Sequence, residues 1–269
     1  MRPNRPWRVD DRVWVKPVKY PGAHARPRVC ATIQARMTSS RLPGKVLLEA
    51  AGKPLLEHMI ERLERAPALD GIIVATTTNG TDDPIAALAE RLGVGCYRGY
   101  EDDVLSRILE AAQRFDADVI VRTTGDCPLL CPGVVTRVVE TYLENGADYV
   151  SNSLAPSFPI GQDVEVFSTR VLEDVARRTD DASDLEHVSL YIYRNPQLYS
   201  LLNVAAPPEL TALDLRLTVD EPADYELVKT VFERLYSQNP AFTLGDILDL
   251  VRAESELAEI NRHVRQRAV

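Results

Sequence analysis

Long apolar runs are missing from this 269-residue chain. Nothing in it is continuous enough to cross a bilayer, and no leader-like apolar core stands near its start, so a cytoplasmic location away from any membrane is expected. Cysteine is scarce. Of the four, only Cys127 and Cys131 stand close, in "CPLLC", while Cys30 and Cys96 lie in apolar stretches and read as core residues. With no second pair at zinc spacing, a structural zinc site and a disulfide-built scaffold are both disfavoured. Positive charge is also short: 31 Lys and Arg against 40 Asp and Glu leave a formal charge of −9. That balance opposes a general nucleic-acid binder, which needs a basic face. No internal repeat or low-complexity tract appears. What remains is ordinary globular composition, 45% hydrophobic, at a length that suits one large α/β domain or a core with a smaller lobe.

The exception to the acidic balance lies at the start. Residues 1–28 hold eight Arg or Lys against two Asp, with five prolines and both tryptophans. They read as a basic, proline-rich extension, with a short edge strand possible at "VWV". From residue 29 apolar strands alternate with amphipathic helices. "VCATIQA" is a strand, and "PLLEHMIERLERA" sets Leu56, Met59, Ile60 and Leu63 on one helical face. "GIIVATT" is the next strand. In "TDDPIAALAERLGV" an Asp caps a helix, with Pro84 in its first turn and Gly93 at its end. "CYRG", "EDDVLSRILEAAQRF", "ADVIVRTTGDCPLL", "PGVVTRVVETYLENG" and "ADYVSN" continue the βαβα rhythm, which implies a mostly parallel, Rossmann-like sheet. The pattern then changes. Residues 153–213 are expected as an inserted lobe, with "DLEHVSLYIYRNP" a helix exposing Leu190, Tyr191 and Tyr193 for a homodimer contact. "LRLTV" reads as a strand before a further helix, and residues 243–264 form a helical tail.

Ligands of such sheets bind beyond the carboxyl ends of the strands. At the first of these ends stands "QARMTSSRLPGK", Gln34 to Lys45. Its Arg36, Arg41 and Lys45, with backbone freed by Gly44 and the serines, suit a triphosphate. The Walker A spacing fails, because Ser39 and Val46 stand where Gly and Ser or Thr are required, and G-x-G-x-x-G is absent. Asp126 follows "VIVR", and Asp220 follows "LRLTV" just before a proline-started helix. Either can be a turn former or a helix cap. Facing a basic loop, they are also what a magnesium-bound triphosphate needs, since Mg2+ takes few carboxylates, phosphate oxygens and waters.

Taken in order, "IQARMTSSRLPGKVL", "GKPLLEHMIERL", "IIVATTTN", "YRGYEDDVLSR", "ADVIVRTTGDCPLL" and "LRLTVDEPADYELV" resemble the cytidylyltransferases of the spore-coat polysaccharide biosynthesis type. These are related to the enzymes that activate 3-deoxy-manno-octulosonate and acylneuraminates. The resemblance covers residues 28 to the end and leaves the extension without a counterpart. It implies a nucleotide-diphospho-sugar transferase fold over 29–269 and transfer of CMP from CTP to a small acidic acceptor, with pyrophosphate released. It implies Gln34, Ala35, Arg36, Ser39, Ser40, Arg41 and Lys45 around the triphosphate, and Asp126 and Asp220 as ligands of Mg2+. Thr76, Thr77 and Asn79, with Asp103, Ser106 and Arg107, fall where relatives hold the nucleoside. Asp163, Glu165 and His187 fall on the acceptor side. Another nucleoside triphosphate or a phosphonate acceptor stays open on the residues alone.

Two rivals are weighed against this. A glycosyltransferase holds its metal with D-x-D at a strand end. Here Asp126 lacks a partner two residues earlier, and only Asp163-x-Glu165 offers a substitute. A noncatalytic nucleotide-binding protein would not need the loop cations and both aspartates together.

Overall fold

The structure, a computed structural model, describes residues 26–266. The basic extension and its "VWV" segment lie outside the described residues, apart from its last three positions. There Arg26 pairs with Asp70, and the Arg28 amide donates to Asp118 at 2.8 Å.

Strand β1 (Val29–Gln34) runs into the basic loop, a 3-10 turn (Lys45–Leu47) and a small hairpin of β2 (Glu49–Ala50) and β3 (Lys53–Pro54). Then come α1 (Leu55–Leu63), β4 (Gly71–Thr77), α2 (Asp83–Leu92), β5 (Gly95–Gly99), α3 (Val104–Arg114), β6 (Val119–Thr124), α4 (Pro132–Asn145) and β7 (Tyr149–Ser151). The later part holds β8 (Glu165–Ser168), α5 (Thr169–Ala176), α6 (Ala182–His187), α7 (Leu190–Arg194) and β9 (Leu201–Asn203). Helices α8 (Pro222–Leu235), α9 (Leu244–Ala253) and α10 (Glu256–Glu259) follow.

Seven strands form one sheet in the order β5-β4-β1-β6-β8-β7-β9. The first four run parallel, β8 alone runs against its neighbours, and β7 and β9 are parallel again. Val29 to Ile33 are all fully buried, as befits a strand covered on both faces. On one face Val29, Ala31 and Ile33 meet Leu56, Met59, Ile60 and Leu63 of α1, as the helical spacing requires, together with α4 and α8. On the other, Cys30, Ile73 and Ile120 meet α3 and α5. The mostly parallel α/β sheet is thus as expected.

Several local expectations need correction. Residues 153–213 do not pack as a body apart. Their strands β8 and β9 join the main sheet, and Leu172, Val175, Val188 and Ile192 share a core with Ile73 and Ile108. The helix expected over "DLEHVSLYIYRNP" is split by Val188 at φ 57°, a costly conformation for a β-branched residue. The split turns Leu190 inward to 1% exposure and leaves Tyr191 and Tyr193 half-buried, so the dimer patch proposed from sequence is not exposed as drawn. The "LRLTV" segment forms only an isolated bridge between Ile160 and Arg216. Its amides are divided, Leu217 donating to the Ile160 carbonyl and Val219 to that of Asp126, both at 2.7 Å, so no ladder extends. The tail forms two helices, α9 and α10. No helix among the described residues is long and apolar enough to cross a membrane.

Gly161 sets how closely that segment lies. Its φ is +97°, and a Cβ there would stand 2.7 Å from the Leu217 carbonyl carbon and the Thr218 nitrogen. Backbone cannot yield as a flexible side chain does. Gly161→Ala is therefore expected to cost roughly 2–4 kcal/mol from the strained φ and the displaced segment. Urea unfolding checks this, and an unchanged midpoint contradicts it.

Candidate active site

The basic loop is tied down by polar groups under it. Gly44 takes φ 73°, where its missing side chain also leaves room for Met37, and its amide donates to the Met37 carbonyl at 2.9 Å. The Met37 amide in turn donates to Asp82 at 2.8 Å. Asp82 stands at the head of α2 but does not cap it. Its fully buried carboxylate accepts from Thr76 Oγ1 at 3.2 Å, Thr77 Oγ1 at 2.5 Å and the Thr77 amide at 3.2 Å. Thr76 and Thr77 thus serve the loop through Asp82, their hydroxyls being spent on it. Ala35 is buried and donates to the Ala75 carbonyl at 3.3 Å.

A second tether comes from Glu101, which accepts from Arg36 at 3.2 Å, from Asn79 Nδ2 at 2.5 Å and from Thr38. The backbone at Glu101 is held by Arg107, whose Nη1 donates to the Tyr100 and Glu101 carbonyls at 2.5 and 3.1 Å. Arg107 is only 1% exposed, so its guanidinium supports this backbone from within. Asp103 caps α3, accepting from the Ser106 amide at 2.9 Å. Ser39 and Ser40 make no side-chain hydrogen bond among the described residues, and Ser40 is exposed.

The loop delivers Lys45 to the point where Asp126, just past β6, and Asp220, just before α8, converge. Lys45 Nζ lies 2.9 Å from Asp126 Oδ2 and 2.8 Å from Asp220 Oδ1. Arg41 reaches the same Asp220 Oδ1 at 2.8 Å. Asp220 Oδ2 instead receives Arg216 Nη2 at 2.6 Å. The N-cap of α8 is Glu221, one residue later, so the Asp220 carboxylate is not spent as a cap. The four residues expected at the reaction centre, Arg41, Lys45, Asp126 and Asp220, are therefore brought together. Burial alone would depress the Lys45 ammonium, but Asp126 and Asp220 outweigh it and hold its pKa above the ordinary value. Burial likewise works against charge on Asp220, and Lys45, Arg41 and Arg216 outweigh it, holding that carboxyl below its usual range. Neighbouring Cys127 is buried and lies by Asp126, and both push its thiol pKa well up.

Beyond Asp126 a polar floor continues on the sheet. Arg122 Nη1 pairs with Glu165 Oε2 at 2.5 Å, while Tyr149 and Ser189 hydroxyls donate to Oε1 at 2.9 and 2.8 Å. Arg122 Nη2 also reaches toward Gln34 Oε1 at 3.4 Å. Glu165 is thus committed to three donors and does not join Asp163 as a metal pair. Asp163 is open on one side and accepts from the Gly161 amide at 3.3 Å. Surrounding protein and the charges of Glu165 and Asp126 raise its pKa. The half-buried His187 ring makes no hydrogen bond among the described residues.

Asp82, Glu101, Arg122 and Arg216 escaped the sequence reading. Arg122 and Arg216 had left a signal: Arg122 is a charge directly after the apolar run of "VIVRTT", and Arg216 stands between two leucines in "LDLRLT". Asp82 and Glu101 left none, since an acid at a turn reads as a cap.

This arrangement, a doubly wound sheet with cations and carboxylates at its carboxyl edge, is that of an enzyme handling nucleoside phosphates. The chain matches the family described as Cytidylyltransferase over residues 30–249 and belongs to it. It is similar to the spore coat polysaccharide biosynthesis protein SpsF of Bacillus subtilis, with 31% identity over 84% of this chain and 95% of that one. It is also similar to the 3-deoxy-manno-octulosonate cytidylyltransferase of Geobacter metallireducens, at 27% identity over 80% and 94%. Among solved structures, a cytidylyltransferase from Leptospira borgpetersenii superposes with a TM-score of 0.83 at 28% identity, over 91% of this chain and 100% of that one.

The pKa directions fix how the ion pairs depend on pH. With Asp220 depressed, its contribution is complete above the unfolded carboxylate value and lost as pH falls through the lower folded one. With Lys45 raised, its contribution is complete below the unfolded amine value and lost as pH rises through the higher folded one. Lys45→Met is expected to destabilise by roughly 3 kcal/mol between about pH 4 and pH 10. The difference from the parent chain should shrink below that window, as the Asp220 carboxylate protonates. Denaturant unfolding at pH 3 and pH 7 tests this, and an equal difference at both would contradict it.

Proposed function

We propose that this enzyme transfers CMP from CTP to a small acidic sugar, or a related acid, and releases pyrophosphate with Mg2+ as cofactor. The observation that carries the reading is the meeting of Asp126 and Asp220 on one cation, Lys45, at the mouth of a cationic loop. The acidic acceptor is supported by the activity that the Geobacter relative is named for, and a carbohydrate role by the name of the Bacillus relative.

The donor set fits Mg2+. Two hard carboxylates already share a cation, and no cluster of three or more His, Cys, Asp or Glu suited to a metal occurs among the described residues. Magnesium favours few carboxylates together with phosphate oxygens and retained waters. Asp126 and the Oδ1 of Asp220 would hold it. When bound, it supplies neutralisation of phosphate charge and a lowered pKa for the attacking hydroxyl.

In the reaction an acceptor oxygen bonds to the α-phosphorus as the bond from that phosphorus to the bridging oxygen breaks. Pyrophosphate leaves, and the acceptor's proton passes to solvent. Lys45 and Arg41 turn from the carboxylates to the phosphate oxygens, where charge grows as the bond breaks. The loop serves mainly to position them. Its anchors at Asp82 and Glu101 fix where those charges stand.

The test pairs four nucleoside triphosphates with a panel of acidic sugars and phosphonates, reading released pyrophosphate. CTP with an acidic sugar and Mg2+ is expected to give the signal. A CMP-sugar donor replacing CTP is expected to give none, which separates this reading from a glycosyltransferase. Arg41→Ala and Lys45→Ala should each lower kcat/KM by roughly 30- to 1000-fold, the loss of one charge-assisted phosphate contact. Parent-like kinetics in both would remove the phosphate role.

A further inference from the structure

Asp220 is held from behind by Asp224 and Arg216, and these two are held in turn by Asn261, with Gln266 also accepting from Arg216. Asp224, fully buried, accepts the backbone amides of Asp220 at 2.9 Å and Glu221 at 3.0 Å on Oδ2. Its Oδ1 accepts Arg216 Nε at 2.9 Å and Asn261 Nδ2 at 2.9 Å. Asn261 Nδ2 also donates to the Arg216 carbonyl at 3.0 Å. Arg216, 4% exposed, closes the circuit by donating Nη2 to Asp220 Oδ2. Asp220 is thereby fixed at its amide and at one carboxylate oxygen. Only Oδ1 is left facing the reaction centre, where Lys45 and Arg41 now meet it.

We infer that Asn261, in the turn after α10, is a positioning residue that aims Asp220 Oδ1 at the divalent cation by holding Asp224 and Arg216. A buried charged circuit is a poor way to gain stability, because apolar groups of similar volume usually serve as well. What the circuit adds is direction. An aspartate with both oxygens free can rotate, whereas this one offers a single oxygen at a set angle. Asparagine suits the last position because it supplies an uncharged donor. A carboxylate there would face Asp224 with like charge, and an apolar side chain would leave the Arg216 carbonyl unpaired. The inference rests on the proposed role of Asp220 as a metal ligand.

The test is Mn2+ binding to the full chain, with and without CTP, counted by the electron paramagnetic resonance of free Mn2+. Asn261→Ala is expected to weaken Mn2+ binding about tenfold, the usual scale for groups that orient a ligand. Leu257→Ala, which removes a buried side chain from the neighbouring turn without touching Asp224, should lower the melting temperature and leave Mn2+ affinity unchanged. Should Asn261→Ala fail to fold, Asp224→Asn keeps the shape, loses the charge that Arg216 pairs with, and must weaken Mn2+ as well. Parent-like affinity in the folded variant, or an equal loss in Leu257→Ala, overturns the inference alone. No Mn2+ binding by the parent chain, or parent-like binding by Asp220→Asn, overturns the metal reading beneath it.

Discussion

Two carboxylates brought together from positions 126 and 220 would repel each other, and the buried ammonium of Lys45 is what lets them stand side by side. That single shared cation ties the basic loop, the end of β6 and the extended segment before α8 into one unit. Around it the charges balance, with Lys45, Arg41 and Arg216 against Asp126, Asp220 and Asp224. Each element that touches the site can be traced to delivering this arrangement. Gly44 turns the loop back, Asp82 pins it, and the amide of Val219 reaches the Asp126 carbonyl to bring Asp220 alongside.

The site has a fixed part and a yielding part. Asp220 is locked by Arg216 and Asp224, and Glu165 by Arg122, Tyr149 and Ser189, so neither carboxylate swings freely. Among the described residues Ser39 and Ser40 carry no such ties, Lys45 is held by Asp126 and Asp220, and Arg41 by Asp220 and more loosely by Glu221 at 4.0 Å. Such a division suits an enzyme that must keep ligand directions while exchanging counter-ions.

Much of this was legible in the sequence because periodicity and strand-end position report burial directly. The strands around Ile33, Val74 and Val121 and the helix face of Leu56, Met59, Ile60 and Leu63 follow from it, as does the meeting of Arg41, Lys45, Asp126 and Asp220 beyond the sheet. Tertiary pairing was not legible. "LRLTV" has strand composition, yet its backbone bonds go to two different partners, a fact held in Ile160 and Asp126 rather than in the segment itself. The break at Val188 had no local cue, since valine is a poor residue for that conformation. Thr76, Thr77 and Arg107 stood where a nucleoside is held in relatives, but their bonds to Asp82 and to the backbone at Tyr100 make them supports. Sequence shows which groups are near a site more readily than which way they face.

The antiparallel strand β8, wedged between β6 and β7, has a consequence for how the chain is made. Strand β7 bonds only to β8 and β9, both synthesised after it. At translation speeds of ~5–20 residues per second, the stretch from Ser151 to Asn203 keeps one or both edges of β7 open for roughly 3–10 s. During that interval the exposed edge of β6 is the nearest template, and pairing there would fill the slot that β8 must enter. The nascent chain thus meets this hazard in the half of the sheet built from β8, β7 and β9, while the four-stranded half that carries the basic loop is already complete.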